Sequence, residues 1–535
     1  MMNIVFKSLN MKKKVLIFST LIAAAAVAVL SFNSCTKDFE EINKDPYGIS
    51  NDQLAVDYKL VGEPFKGVLQ NIYSYTPAWI TQLQQNLIAD VYSGYMMPPT
   101  PFRGNSNNMN YDLVDGWNGT PWNVAYGSVM SPLLEAERNA GTDFPEFIAW
   151  SKICKVEAMH RISDIYGPII YTKFGKLTAG GGVEYDCQDV AYDAFFKDLD
   201  AAVATLTPLA QDPNSRKSFT NFDLVYGGDY SKWVRFANSL RLRLAIRISK
   251  VDPVRAKTEG EKALSNPLGV IISNDDNFLV TSDAGITHPL NVMDNAWNDI
   301  RMGAPMESIL KGYNDPRLGK YFNPSEVVPG EIKGIRQGIA IAAKSDYQGF
   351  STLVDLGKVQ LMTAAEVFFL RAEGAARGWN MGGNAQDLYE TGVKTSFAQY
   401  GLDATTYLTN GSSTPIPYVD PVNTANNVAN TSNATIKWDD AASFESKLEK
   451  IITQKWISMY PDGQEAWSEV RRTGYPKLFP VVVNNSGGKI DTDKFIKRIN
   501  FPVGEFQTNK VEVDKAVQCL GGADNGGTSL WWDID

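Results

Sequence analysis

The chain has 535 residues, 44% of them hydrophobic, and a formal charge of −9. That length can bury a large core, and the acidic balance argues against a partner held through its phosphate backbone, so no nucleic acid is expected. With only two histidines, His160 and His288, and four cysteines, there is little material for histidine relays, metal sites or a disulfide framework, and no cofactor is expected.

At the N-terminus Lys12, Lys13 and Lys14 precede an uncharged run from Val15 to Leu30, and a small-polar stretch ends at Cys35. This is the layout of a secretory signal. A membrane-spanning helix needs about 20 apolar residues, whereas this run contains Ser19 and Thr20 and gives way to Ser31, Asn33 and Ser34. A cysteine after a small residue suits lipoprotein processing, which makes Cys35 the acylated first residue of the mature chain. Met1 and Met11 are alternative starts, since residues 1–10 add nothing a signal needs. Removing residues 1–34 takes away Lys7, Lys12, Lys13 and Lys14 and no acid, moving the formal charge from −9 to −13. Several acyl chains on one cysteine hold a protein at a bilayer without a second signal. Cys35→Ala is therefore expected to leave the protein uncleaved or unanchored; wild-type recovery of that variant in sedimented membranes would overturn the lipoprotein reading.

Residues 35–50 read as an acidic tether and 51–535 as the folded body, with no linker that divides it. Cys154, Cys187 and Cys519 allow one disulfide but require none. Thr120-Pro121 predicts a helix start, continued by Trp122, Ala125, Tyr126 and Val129, with a bend at Pro132. Phe147 to Tyr166 follows, stopped by Gly167-Pro168, then Val190 to Leu206. Trp233, Phe236, Ala237, Leu240, Leu244 and Ile248 form one stripe of a long helix, on whose other faces Arg235, Arg241, Arg243 and Arg247 are expected to cap and pair. Gly269 to Ser273 reads as a short strand. Thr363 and Glu366 form a capping box for Val367 to Arg377, and a Gly378 turn leads to a helix through Leu388, Tyr389, Val393 and Phe397. Ala372, Ala375 and Ala376 would let those two helices approach closely, as in tetratricopeptide-like pairs, although no clean repeat is visible. Asn410 to Thr435 reads as a long surface insertion, and Phe444 to Tyr460 as a further helix.

Several segments, taken in order, resemble those of the SusD/RagB-like lipoproteins of Bacteroidetes. They are Cys35 to Pro46, Gly312-Tyr313-Asn314-Asp315-Pro316-Arg317-Leu318, Met362 to Gly374, Gln454 to Ile457, Gly463 to Pro476, and Arg498 to Pro502 with Glu505 and Asn509. Physically most of these positions read as scaffold: Asp315-Pro316 favours a turn that Arg317 satisfies, and the acids and arginines of 465–472 pair along their own helix. The resemblance implies a mainly α fold with degenerate tetratricopeptide-like helix pairs and a loop-rich second lobe with a few short strands. It also implies a surface lipoprotein of the outer membrane, the acidic cluster Asp38 to Glu41 resembling an export tag. Such a protein binds an oligosaccharide, or in some relatives a peptide, and delivers it to a SusC-like TonB-dependent barrel.

Sugar rings stack their C–H faces on aromatic side chains while amides, carboxylates and arginines meet the hydroxyls. Two segments have that composition. Tyr92, Tyr95 and Phe102 surround Arg103, Asn105, Asn107 and Asn108; Asn291, Asn295, Trp297, Asn298, Asp299 and Arg301 lie between Pro289 and Gly303. The expected ligand residues are Trp297, Asn295, Asn298, Arg301, Tyr95, Phe102, Arg103 and Asn107. An enzyme is the alternative class, a glycoside hydrolase with paired carboxylates, yet no acid stands out and no nucleophile elbow, P-loop or zinc motif is present.

Overall fold

Spaced apolar stripes and capping residues set the helices, and a computed structural model describes residues 56–282, 285–430 and 432–534. The principal helices are α1 (Lys59–Ile72), α2 (Ser131–Ala140), α3 (Pro145–Tyr166), α4 (Gln188–Gln211), α5 (Tyr230–Arg247) and α6 (Pro253–Ser265). Then come α7 (Ala364–Ala376), α8 (Ala385–Ala398), α9 (Phe444–Met459), α10 (Gly463–Thr473) and α11 (Lys510–Cys519). Sequence neighbours pack as pairs, α3 on α4, α5 on α6, α7 on α8 and α9 on α10, and the pairs join through α4–α5, α5–α7 and α7–α9. The signal, Cys35 and the tether lie outside the described residues, apart from which no helix is long and apolar enough to cross a membrane.

The start signals have clear local causes. Asp229 caps α5 through Ser231 N at 2.8 Å, and Asp252 caps α6 through Arg255 N at 3.2 Å ahead of Pro253. Before α2 the helix shows no break at Pro132: Thr120–Val124 widens into a π turn over Ala125–Met130 that runs directly into α2, whose second residue is Pro132. Thr120 itself makes no cap hydrogen bond.

Three expectations are corrected, and a fourth is refined. Gly269–Ser273 is irregular; the strand lies later, β2 (Phe278–Val280), antiparallel to β4 (Val359–Met362). The capping box at Thr363 is half made, because Thr363 Oγ1 accepts from Glu366 N at 3.1 Å while the Glu366 carboxylate turns to Arg243. The close approach of α7 and α8 rests on Gly392, where a Cβ would meet the Phe369 ring at 2.8 Å, whereas Ala375 and Ala376 stay half-exposed. The 410–435 insertion is irregular but pinned: buried Tyr418 donates to Gly334 O at 2.8 Å, and buried Asp420 accepts from Tyr347 Oη at 2.9 Å and Asn426 Nδ2 at 2.7 Å.

Arg241, Arg243 and Arg247 of α5 are buried, while Arg235 stays part-exposed. Arg243 forks onto Glu366 with two bonds of 2.8 Å, and Arg247 reaches Glu469 at 2.6 Å and Glu465. Lys455 on α9 lies 3.3 Å from both Glu465 and Glu469. Arg472 joins Glu469 at 2.6 Å to Glu373 on α7 at 2.7 Å. The acids of α10 thus pair mostly across helices, with Glu469–Arg472 the local exception. Burial alone would push the Glu465 carboxyl up, but Arg247, Arg243 and Lys455 outweigh it and hold it at about 2.

Glu157 on α3 shows the opposite outcome. Arg243 at 3.7 Å and Arg161 at 3.8 Å attract it, yet neither carboxylate oxygen accepts a hydrogen bond, and burial prevails, pushing its carboxyl from 4.5 up to about 8. The folded form therefore binds more protons than the unfolded chain between those two values, so this group's contribution falls as pH rises through them. Glu157→Gln is expected to be close to neutral at pH 5 and to be clearly more stable than the parent at pH 9. Urea melts of the two proteins at both pH values check this; a variant less stable than its parent at pH 9 would sink the idea.

Candidate functional site

Two loops that are distant in sequence are brought edge to edge by a short sheet. β1 (Met96–Met97) pairs antiparallel with β3 (Arg301–Met302), Met96 opposite Met302 and Met97 opposite Arg301. The approach needs glycine, since a Cβ on Gly303 would stand 2.2 Å from Gly94 O. Beyond the pair, prolines 98, 99 and 101 keep the chain extended, and the Thr100 hydroxyl donates to the Asp299 carboxylate. Lys344 closes the other side, donating to Trp297 O at 2.7 Å and Asp299 Oδ1 at 2.8 Å.

The surface so formed is partly aromatic. Phe102 meets Trp117 edge to face at 5.8 Å and 86°, and Phe102, Trp117 and Trp297 are each part-exposed. Asn105 clamps the neighbouring loop from both ends of its amide, donating to Ile341 O at 2.9 Å and accepting from Ile341 N at 3.0 Å. Arg103, Asn105 and Asn298 all hold positive φ, at 52°, 67° and 53°. Such conformations persist only where the surroundings fix them. Arg103 is exposed, with Nε on Ser106 O at 3.2 Å. Asn295 and Asn298 are exposed as well, Asn295 donating to Asp355 at 2.9 Å.

Three expected ligand residues are structural instead. Tyr95 has no exposed surface; its ring packs on Trp456 at 4.9 Å and Tyr460 at 5.5 Å, and its hydroxyl donates to Trp456 O. Arg301 is 2% exposed and engages Asp294 at 2.9 Å and Gln348 O at 2.7 Å. Asn107 is an N-cap, accepting from Met109 N at 2.9 Å and donating to Phe102 O at 2.6 Å. Each side chain has the right chemistry for a sugar but spends it on partners within the fold.

Trp117 escaped the sequence reading although Asp115-Gly116-Trp117-Asn118 has the same aromatic-plus-polar composition. Beside it opens a cleft of about 480 Å³ carrying Asp112, Asp115, Asn485, Asn500 and Asp524. Asn485 ties this cleft to the loop, donating to Asn105 O at 3.2 Å, and Asn500 Nδ2 lies 3.1 Å from Asp115 Oδ1. Asn485 and Asp524 come from loops without a neighbouring aromatic residue, so nothing in their local sequence pointed to them. A broad face with exposed rings next to amides and carboxylates suits reversible capture of a polyhydroxylated ligand.

Helix pairs that carry a part-aromatic, polar surface on their loops define the class of fold. Residues 41–533 match the model of the SusD-like family, described as Susd and RagB outer membrane lipoprotein, and the chain belongs to that family. Among solved structures it is similar to a chitin-binding SusD homologue from Flavobacterium johnsoniae, at 49% identity over 89% of this chain and 99% of that one, with a TM-score of 0.87. A SusD homologue from Bacteroides vulgatus is 38% identical over 89% and 98% of the two chains, TM-score 0.84. A SusD-like protein from Bacteroides thetaiotaomicron is 34% identical over 89% and 99%, TM-score 0.83. No curated protein matches the chain.

Proposed function

We propose that this outer-membrane lipoprotein works at the cell surface, capturing glycan oligomers and delivering them to a SusC-like TonB-dependent barrel without turning them over. The observation that supports the reading is the part-exposed Phe102–Trp117 pair, on a loop that is paired by β1 and β3 to the one carrying Trp297 and tied through Asn105 and Asn485 to a cleft lined with amides and carboxylates. The similarity at 49% identity to a chitin-binding homologue makes β-linked N-acetylglucosamine oligomers the first ligand to test. An anchored binder has no pore of its own, so a barrel must carry the ligand onward.

Calorimetric titration with chitooligosaccharides is expected to show saturable binding and no hydrolysis products. Trp117→Ala and Trp297→Ala should each weaken it by about 1–3 kcal/mol, with thermal melting unchanged because both rings are part-exposed. Binding of peptides alone would favour the RagB-like alternative, and hydrolysis lost on one carboxylate substitution would favour an enzyme. Crosslinking in native outer membranes tests delivery: a barrel partner should be recovered across an interface above about 2,000 Å², and recovery of the monomer alone would count against it.

A further inference from the structure

Among the described residues Trp79 is the one aromatic side chain that is exposed rather than part-exposed or buried, with 53% of its surface open. A single exposed apolar residue is ordinary by itself; what sets this one apart is its place and how firmly it is held. It lies on the short helix Ala78–Thr81. Ile80 N donates to Pro77 O at 2.9 Å, and the Thr81 hydroxyl donates to Ser74 O. Gln84 locks the same turn, accepting from Ser74 N at 2.9 Å and donating to Asn71 O and Ile72 O, each at 3.2 Å. The backbone beneath Trp79 is thus set before any ligand arrives, and a tryptophan, with two side-chain torsions, loses little freedom when a ligand covers it.

The helix of Trp79 packs against Pro289–Asn291 and Val292–Ala296, the stretch that ends at Trp297. Trp297 N closes that turn on Val292 O at 3.2 Å. Asn291 clamps it from outside, donating to Leu356 O and accepting from Leu356 N, both at 2.9 Å, and exposed Asn295 donates to Asp355 at 2.9 Å. Segment 289–302 is therefore held at both ends: its start meets the helix of Trp79, and its end, β3, meets β1 and so the loop of Phe102. Trp297 falls between, flanked in sequence by the exposed amides of Asn295 and Asn298. Aromatic rings in series with amides between them suit an oligomer better than a single sugar, because every unit of the chain repeats the same apolar C–H face and the same hydroxyls.

We propose that Trp79 is a further stacking ring for the glycan and makes the site selective for chain length. Short oligomers meet Trp297 and the Phe102–Trp117 pair; longer ones cover Trp79 as well. This inference rests on the glycan reading above, which does not itself include Trp79.

Calorimetric titration of the full mature chain with chitobiose and chitohexaose reads the length dependence. The parent is expected to bind the hexamer at least about tenfold tighter than the dimer. Trp79→Ala should lose most of that factor for the hexamer and none of the affinity for the dimer, with thermal melting unchanged, and Trp79→Phe should keep most of the factor. Trp297→Ala should weaken both oligomers. Unchanged hexamer affinity in Trp79→Ala, or an equal loss for both oligomers, would overturn the proposal. So would unchanged hexamer binding together with loss of the crosslinked barrel in native membranes, which would assign the ring to the barrel instead. A parent that binds neither oligomer would bring down the glycan reading and this inference with it; that result is read on the parent alone, so the two failures are distinguishable.

Discussion

Arg472→Ala is expected to destabilise the protein by about 3–5 kcal/mol, the cost of leaving buried carboxylates without their partner. Arg472 has no exposed surface and bridges Glu373 on α7 to Glu469 on α10 through charge-assisted bonds of 2.6 to 2.7 Å. Burial by itself raises both carboxyls, and Arg472 is the leading charge that holds them low instead. Removing it leaves Glu373 with Arg377, and Glu469 with Arg247 and Lys455, so the loss should be severe without abolishing every contact. Since the folded-state values are depressed, the stability they supply is present above the ordinary carboxylate range and is lost as pH falls through the lower folded values. Urea denaturation at pH 7 gives the measurement. A cost below about 1 kcal/mol, typical of exposed pairs, would show that these helices do not depend on the ionic layer.

Cys519→Ser should cost about 2–4 kcal/mol. Cys187 at the start of α4 and Cys519 at the end of α11 form a disulfide 332 residues apart in sequence, and closing so long a loop restricts the unfolded chain strongly. The bond fits an outer-membrane location, beyond the reducing cytoplasm. The C-terminal segment has other attachments: Asn509 exchanges bonds of 3.0 and 2.9 Å with Val183, and Trp532 Nε1 donates to Asp164 at 2.9 Å. The variant should therefore fold but melt earlier, and reductant should lower the parent to the same midpoint. Identical melting with and without reductant would refute the role given to the bond.

The proposed ligand face was legible only in part. Composition alone pointed to the segments around Phe102 and Trp297, because exposed-loop aromatics next to asparagine and arginine are the right chemistry for sugars. The same composition also described Tyr95, Asn107 and Arg301, which fold inward to bond backbone carbonyls and amides. Residue type states what a side chain can bond to; burial, a tertiary property, decides whether ligand or backbone receives the bond.

The sequence by itself determined the helix stripes, their caps and stops, and the family resemblance, since these depend on spacing over a few turns and on local hydrogen-bond chemistry. It also placed one stripe of α5 in the core. Only the tertiary structure decided that Arg243 and Arg247 on the other faces are buried too, because their charges are neutralised by Glu366 and by Glu465 and Glu469 from helices more than a hundred residues away. Tertiary structure likewise joined Cys187 to Cys519 and set the loop of Phe102 beside that of Trp297, through a pair of two-residue strands too short to leave any period of their own.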